Sequence, residues 1–119
     1  MERLTKNLVR SECACKCGCN LDTADYRLVI GFQKICDEVS KEIHHKCIAN
    51  IHCLCRCEKH NEDIGGLPTS KHIAGKAIDI DIEGISSDRL YATAITVLDN
   101  DIFDIVKYNW GIHLEVDPK

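Results

Sequence analysis

This chain lacks several things that would have assigned it a class at once. No apolar run approaches the roughly 20 residues needed to cross a bilayer, so no membrane-spanning helix is expected. The opening MERLTKNLVRSEC is charged along its length and has no apolar centre of the signal-peptide kind. Synthesis in a cytoplasm is therefore expected. Lys and Arg number 15 against 19 Asp and Glu, a net charge of -4, so there is no basic face for nucleic acid. The cations are also too scattered to suggest an anionic membrane surface. Internal repeats, linkers and C-x-x-C knuckles are all missing. What remains is 119 residues, 45% hydrophobic and 29% charged, a soluble globular composition with room for one domain and one core.

Cysteine breaks the sparseness. There are nine, at positions 13, 15, 17, 19, 36, 47, 53, 55 and 57. An odd count excludes complete internal pairing, and without a secretory signal dense cysteines are more often thiols or metal ligands than a disulfide framework. Two readings stay open. In one, buried free thiols are joined by one or two disulfides tying the N-terminal segment to the central strand. In the other, the C-x-C clusters hold a second, soft metal. Cys36 and Cys47 read as core residues.

Along the chain, residues 1–21 read as a cysteine-rich loop. Asp22 or Thr23 can cap a helix, and Leu28, Phe32, Ile35, Val39 and Ile43 recur at spacings of three and four. This predicts an amphipathic helix of about 20 residues ending in the early forties; Gly31 costs it about 1 kcal/mol relative to Ala. His44 and His45 fall at its end, where they suit the helix dipole. CIANIHCLCRC reads as a strand that would put Cys53, Cys55 and Cys57 on one face, and EKHNEDIGGLPTS reads as a loop. KAIDIDIEG alternates strictly and predicts a strand with isoleucines on one face and acids on the other. SSDRLYATAITVLDN predicts a second helix. DIVKYN and IHLEVD, separated by NWG, predict a hairpin. The fold class expected is α+β, a small, mostly antiparallel sheet with helices packed on it.

The chemistry centres on TSKHIAGKAIDIDIEG. A catalytic zinc takes three protein nitrogen or oxygen ligands and leaves a position for water. His72 ends a loop, and Asp79 lies seven residues on, on the polar face of a strand. Gly75 permits a tight path between them, and Ala77 keeps bulk away. His113 lies on a later strand with Glu115 on the same face. Each residue also has a plain reading: a surface loop histidine, a solvated strand face, a histidine at the core's edge. His52 and His60 read as surface residues, His60 within a block that bears on the next point.

CRCEKHNEDIGGLPTSKHIAGKAIDIDI resembles the central signature of the zinc D-alanyl-D-alanine carboxypeptidase family of murein peptidases, S-x-H-x-x-G-x-A-x-D. Here the matching residues are Ser70, His72, Gly75, Ala77 and Asp79. GIHLEVD is similar to the family's second block, CLCRCEKHN keeps Arg56, Cys57, His60 and Asn61 of an upstream block, and CACKCGC echoes a cysteine motif near the start of relatives. The resemblance implies one zinc peptidase-like domain over 1–119, of a fold shared with hedgehog signalling domains. It implies a Zn2+ held by His72, Asp79 and His113, and cleavage of peptidoglycan stem peptides containing D-amino acids, by a carboxypeptidase or endopeptidase. Arg56 would hold a substrate carboxylate or the oxyanion, with Ser70 and Asn61 at the substrate edge and Glu115 as general base. Trp110 stands where several branches of the family carry their catalytic acid, three before the second histidine. Glu115 replaces the usual aspartate, and Cys53, Leu54 and Cys55 replace serine, glycine and tyrosine. The expected partner is a peptidoglycan peptide, with no nucleic acid or integral membrane contact, for a monomer that could come from a phage or prophage and be released to act on the wall. The alternative is a non-catalytic zinc-binding module of the same fold. A thiol-rich storage or redox protein would explain none of the matched block.

Overall fold

The computed structural model describes residues 3–116. The strict alternation of Ala77–Ile82 (β4) divides the molecule. Ile78, Ile80 and Ile82 are fully buried, while Asp79 and Asp81 lie on the opposite face. β4 pairs on one side with Ala49–Cys53 (β3) and on the other with Ile112–Val116 (β6), which in turn pairs with Phe103–Lys107 (β5). All pairings are antiparallel, in the order β3-β4-β6-β5. Because Ile78 faces Leu114 and Ile80 faces Ile112, the apolar sides of both strands coincide. Asp79 consequently falls opposite His113.

Helix Tyr26–Ile43 (α1) covers that apolar side with Leu28, Phe32, Ile35 and Val39, and helix Ser87–Val97 (α3) packs beside it with Leu90 and Ala94. Cys36 and Cys47 are core residues of this layer, as expected. Gly31 has a packing reason for its cost: a Cβ there would meet the Phe103 ring at 2.5 Å. The α+β class and the antiparallel sheet are as the sequence predicts.

Four local expectations change. α1 begins later than Asp22 or Thr23, because Asp25 is the cap, accepting from the Arg27 N–H at 2.9 Å. Residues 22–25 instead dock against the turn at Gly75, where the Asp25 N–H donates to the Gly75 carbonyl at 2.8 Å. The third strand stops at Cys53, after a register irregularity, so Cys53, Cys55 and Cys57 do not share a strand face. The loop expected after it contains helix Glu58–Asp63 (α2), capped by the Cys57 sulfur, and a 3-10 turn Lys71–Ala74 capped by Ser70. The N-terminal segment holds a small hairpin, Arg3–Thr5 (β1) and Leu8–Val9 (β2), and a 3-10 turn before its irregular stretch. A polar helix without apolar periodicity and a thiol cap leave no pattern to detect. Asp117, placed in the predicted hairpin, lies outside the described residues.

Gly75 adopts φ +67°, and a Cβ there would sit 2.2 Å from the Thr23 carbonyl oxygen. Gly84 also has a positive φ, +81°, but open space around it. Gly84→Ala should lose only the left-handed strain, about 1–2 kcal/mol. Gly75→Ala should lose clearly more, because backbone must move as well. Urea midpoints of the two variants compare them directly.

Candidate metal centre

The polar face of β4 and β6 carries three side chains that converge. His72 Nε2 lies 3.2 Å from Asp79 Oδ2, and His113 Nδ1 lies 2.7 Å from Asp79 Oδ1. The rings of His72 and His113 meet edge to face with centroids 5.4 Å apart. Strand register supplies Asp79 and His113 as direct opposites. His72 reaches them from the 3-10 turn, whose left-handed exit at Gly75 returns the chain to β4. Ala77, opposite Glu115, leaves room beside them.

Partners on the far side fix these groups. His72 Nδ1 lies 3.0 Å from the Leu54 carbonyl oxygen, so Nδ1 carries a proton and Nε2 points toward Asp79. His113 Nε2 lies 2.9 Å from Glu115 Oε1. Each imidazole thus has a second partner that orients it, the usual arrangement around a metal-binding histidine.

Two imidazole nitrogens and one carboxylate oxygen, all within 4.8 Å of one another, suit a tetrahedral Zn2+ with its fourth position open. Zinc–ligand distances of about 2.0–2.1 Å imply ligand separations near 3.3 Å. The 3.2 Å between His72 and Asp79 matches that spacing with little movement. Burial of His72, by contrast, opposes a charge on its ring. Hydrogen bonds to Asp79 and to the Cys53 thiol outweigh it and raise its pKa to about 10. Burial also works against the Asp79 carboxylate, but the two histidines hold its pKa well below the usual range. Likewise, the His113 pKa is raised despite burial, by Asp79 and Glu115.

Arg56 stands beside this set. Its Nη1 donates to Asn61 Oδ1 at 2.8 Å and its Nη2 to Cys53 Sγ at 3.4 Å. Asn61 is buried and anchored through its Nδ2 to the Leu67 carbonyl. Gly66 makes room for it: a Cβ there would meet Asn61 Oδ1 at 2.2 Å. Ser70 caps the 3-10 turn, its hydroxyl accepting from the His72 N–H at 3.3 Å. An open groove of about 360 Å³ runs past Leu67, Thr69 and Ser70 to His113 and Glu115.

The structure also brings in residues that the sequence did not assign to the site. Cys53 Sγ accepts from Arg56 Nη2, and although burial opposes its charge, the neighbouring His72 and Arg56 lower the pKa of its thiol. Tyr108, Trp110 and His52 form an aromatic rim. Tyr108 and Trp110 stack at 5.2 Å, and His52, which read as a surface residue, packs edge-on to Trp110 and pairs with Asp81. These three are visible only once the hairpin closes and β3 pairs with β4.

An α+β sheet with a two-histidine, one-aspartate centre on its polar face is the working arrangement of a zinc metallopeptidase. The Peptidase M15 family model matches residues 6–115, and the chain belongs to that zinc-dependent family. No curated protein and no solved structure matches it. Among the described residues, no helix is long and apolar enough to cross a membrane.

His72→Ala should lower the zinc content of the purified protein by one ion per chain, read by elemental analysis. The metal-free protein should show the ionic cluster in its stability. Histidine pKa values raised from 6.5 stabilise fully below that value and lose the effect as pH climbs toward about 10 for His72. An aspartate pKa lowered from 3.8 stabilises above that value and loses the effect as pH falls below it. The cluster's contribution is therefore greatest between pH 3.8 and 6.5. Denaturation midpoints of chelator-treated Asp79→Asn should lack that maximum.

Proposed function

We propose that this chain is a hydrolytic enzyme acting on peptidoglycan stem peptides that contain D-amino acids, as a carboxypeptidase or endopeptidase. The observation that carries the reading is the coupling of Arg56 to His72: the Arg56 backbone N–H donates to the His72 carbonyl oxygen at 2.9 Å, while its guanidinium is held by Asn61 Oδ1 and Cys53 Sγ. A fixed guanidinium beside a zinc centre suits a peptide whose scissile bond lies close to a free carboxylate. One N–H on each of the two Nη atoms remains for that carboxylate or for the carbonyl oxygen as it gains charge.

Zinc held by His72, Asp79 and His113 would polarise the scissile carbonyl and acidify a water. Glu115, 2.9 Å from His113 Nε2, is the carboxylate beside the centre that would take up a proton as water adds to the peptide and return it to the departing amine, so that the peptide yields a carboxylate and an amine. His113 orients Glu115 through its Nε2. Asn61 holds Arg56 in place, and Ser70 fixes the turn that delivers His72 while lining the groove for the peptide. The Tyr108–Trp110 stack offers an apolar wall next to His113.

A second reading, a zinc-binding module without turnover, has an observation of its own. The residue three before His113 is Trp110, which cannot accept a proton, and Glu115 is already engaged by His113. Digestion of purified peptidoglycan, with products resolved by mass, separates the two. Glu115→Gln should cut turnover by about 10²–10⁴ while zinc stays bound. Arg56→Lys should cut it by about 10²–10³. Release of free D-alanine would mark a carboxypeptidase, and shortened cross-links an endopeptidase. A wild type that binds zinc and leaves every muropeptide intact would establish the module instead.

A further inference from the structure

The cysteines that the site above does not use are not scattered. Cys15, Cys17, Cys19 and Cys57 bring their sulfurs within 4.8 Å of one another. Three of them form a near-equilateral triangle: 3.5 Å between Cys15 and Cys17, 3.8 Å between Cys15 and Cys57, and 3.6 Å between Cys17 and Cys57. A disulfide joins two sulfurs at about 2.05 Å and leaves a third outside. Four thiolates around zinc at about 2.3 Å stand about 3.8 Å apart at the corners of a tetrahedron. The triangle has the second spacing.

The backbone explains how alternate cysteines reach this arrangement without a C-x-x-C knuckle. On a strand, residues two apart are separated by about 6.6–6.8 Å. Here Gly18 at φ +89° and Asn20 at φ +67° curl the segment, and the Cys15 N–H closes it by donating to the Leu21 carbonyl at 2.7 Å. Cys57 arrives from the end of the β3 connection, held by the Cys55 N–H donating to the Cys13 carbonyl at 3.1 Å. Backbone N–H groups already point at two of the sulfurs. That of Cys57 donates to Cys15 Sγ at 3.4 Å, and that of His60 to Cys57 Sγ at 3.3 Å. Such N–H···S bonds orient thiolate ligands and support their charge.

We infer that Cys15, Cys17, Cys19 and Cys57 bind a second Zn2+, as four thiolates in a closed structural site. Binding releases the thiol protons to solvent, and no ligand position remains for water or substrate. The site ties the irregular N-terminal segment to the residue that follows Arg56 and caps α2, the helix carrying Asn61.

Elemental analysis and cobalt substitution test this independently of any peptidase activity. Cys17 and Cys19 are exposed, so Cys17→Ser and Cys19→Ser remove ligands without opening the core. Each should carry one zinc fewer than the wild type, as should His72→Ala. Cys19→Ser combined with His72→Ala should carry none. Cobalt-loaded wild type and His72→Ala should both show intense thiolate-to-metal absorption in the near ultraviolet, which Cys19→Ser should lose. That spectrum on the wild type decides the matter even if a variant folds poorly. Cobalt-loaded protein without thiolate bands, or a native mass showing a Cys15–Cys57 disulfide, would overturn the second site and leave the His72, Asp79 and His113 centre untouched.

Discussion

Asp79 facing His113 across β4 and β6 is the constraint from which the rest of the site follows. The pairing is a matter of register. The isoleucines of β4 and the Ile112, Leu114 and Val116 row of β6 share the buried side, and a one-residue shift of either strand would turn its row away from α1 and α3. A slip of one residue would bury Asp79 and Asp81 in the core and expose the isoleucines. Each buried isoleucine is worth about 1.5–3 kcal/mol, so the core outweighs any local preference and holds the alignment. Asp79 and His113 then face each other as a consequence of packing.

His72 cannot be placed by register, because it lies outside the sheet. Its position depends on a chain of smaller restraints: the Ser70 cap, the left-handed Gly75, the docking of residues 22–25 on that turn, and the Leu54 carbonyl at its far nitrogen. Arg56 depends on a similar chain, through Asn61 and the space left by Gly66. One atom on that side is left unsatisfied: Arg56 Nε is buried and has no hydrogen-bond partner among the described residues. A buried orphan donor costs about 1–3 kcal/mol. Its cost falls on a side chain whose guanidinium is held at both Nη atoms, by Asn61 Oδ1 and Cys53 Sγ.

This division also explains what could be read in the sequence. Period-two alternation exposed β4, and period-3.6 recurrence exposed α1 and α3, because burial on one face writes those periods directly. His72, Asp79 and His113 stood out through spacing and through the family resemblance, and the folded chain brings all three together. Arg56, Asn61, Ser70 and Glu115 also lie around that centre. The α2 helix was not legible, since its residues are polar all round and its cap is a thiol. Cys53 and the Tyr108–Trp110–His52 rim were not legible either. Their meaning comes from neighbours on other strands, and a single sequence carries no record of which strand pairs with which.

The two clusters of ligands differ in kind, and that difference keeps them apart. Imidazole and carboxylate at His72, Asp79 and His113 leave an open position and suit a metal that must hold a water or a carbonyl. Sulfur at Cys15, Cys17, Cys19 and Cys57 closes the coordination sphere and favours softer ions. Between them runs the short stretch from Cys53 to Cys57, with Cys53 against His72, the Arg56 N–H donating to the His72 carbonyl at 2.9 Å, and Cys57 in the sulfur cluster. A segment this short, pinned at both ends, has little freedom to move the guanidinium between them. Cys53 at one end and Cys57 at the other are thus a means of rigidity for a connection that has neither helix nor strand of its own.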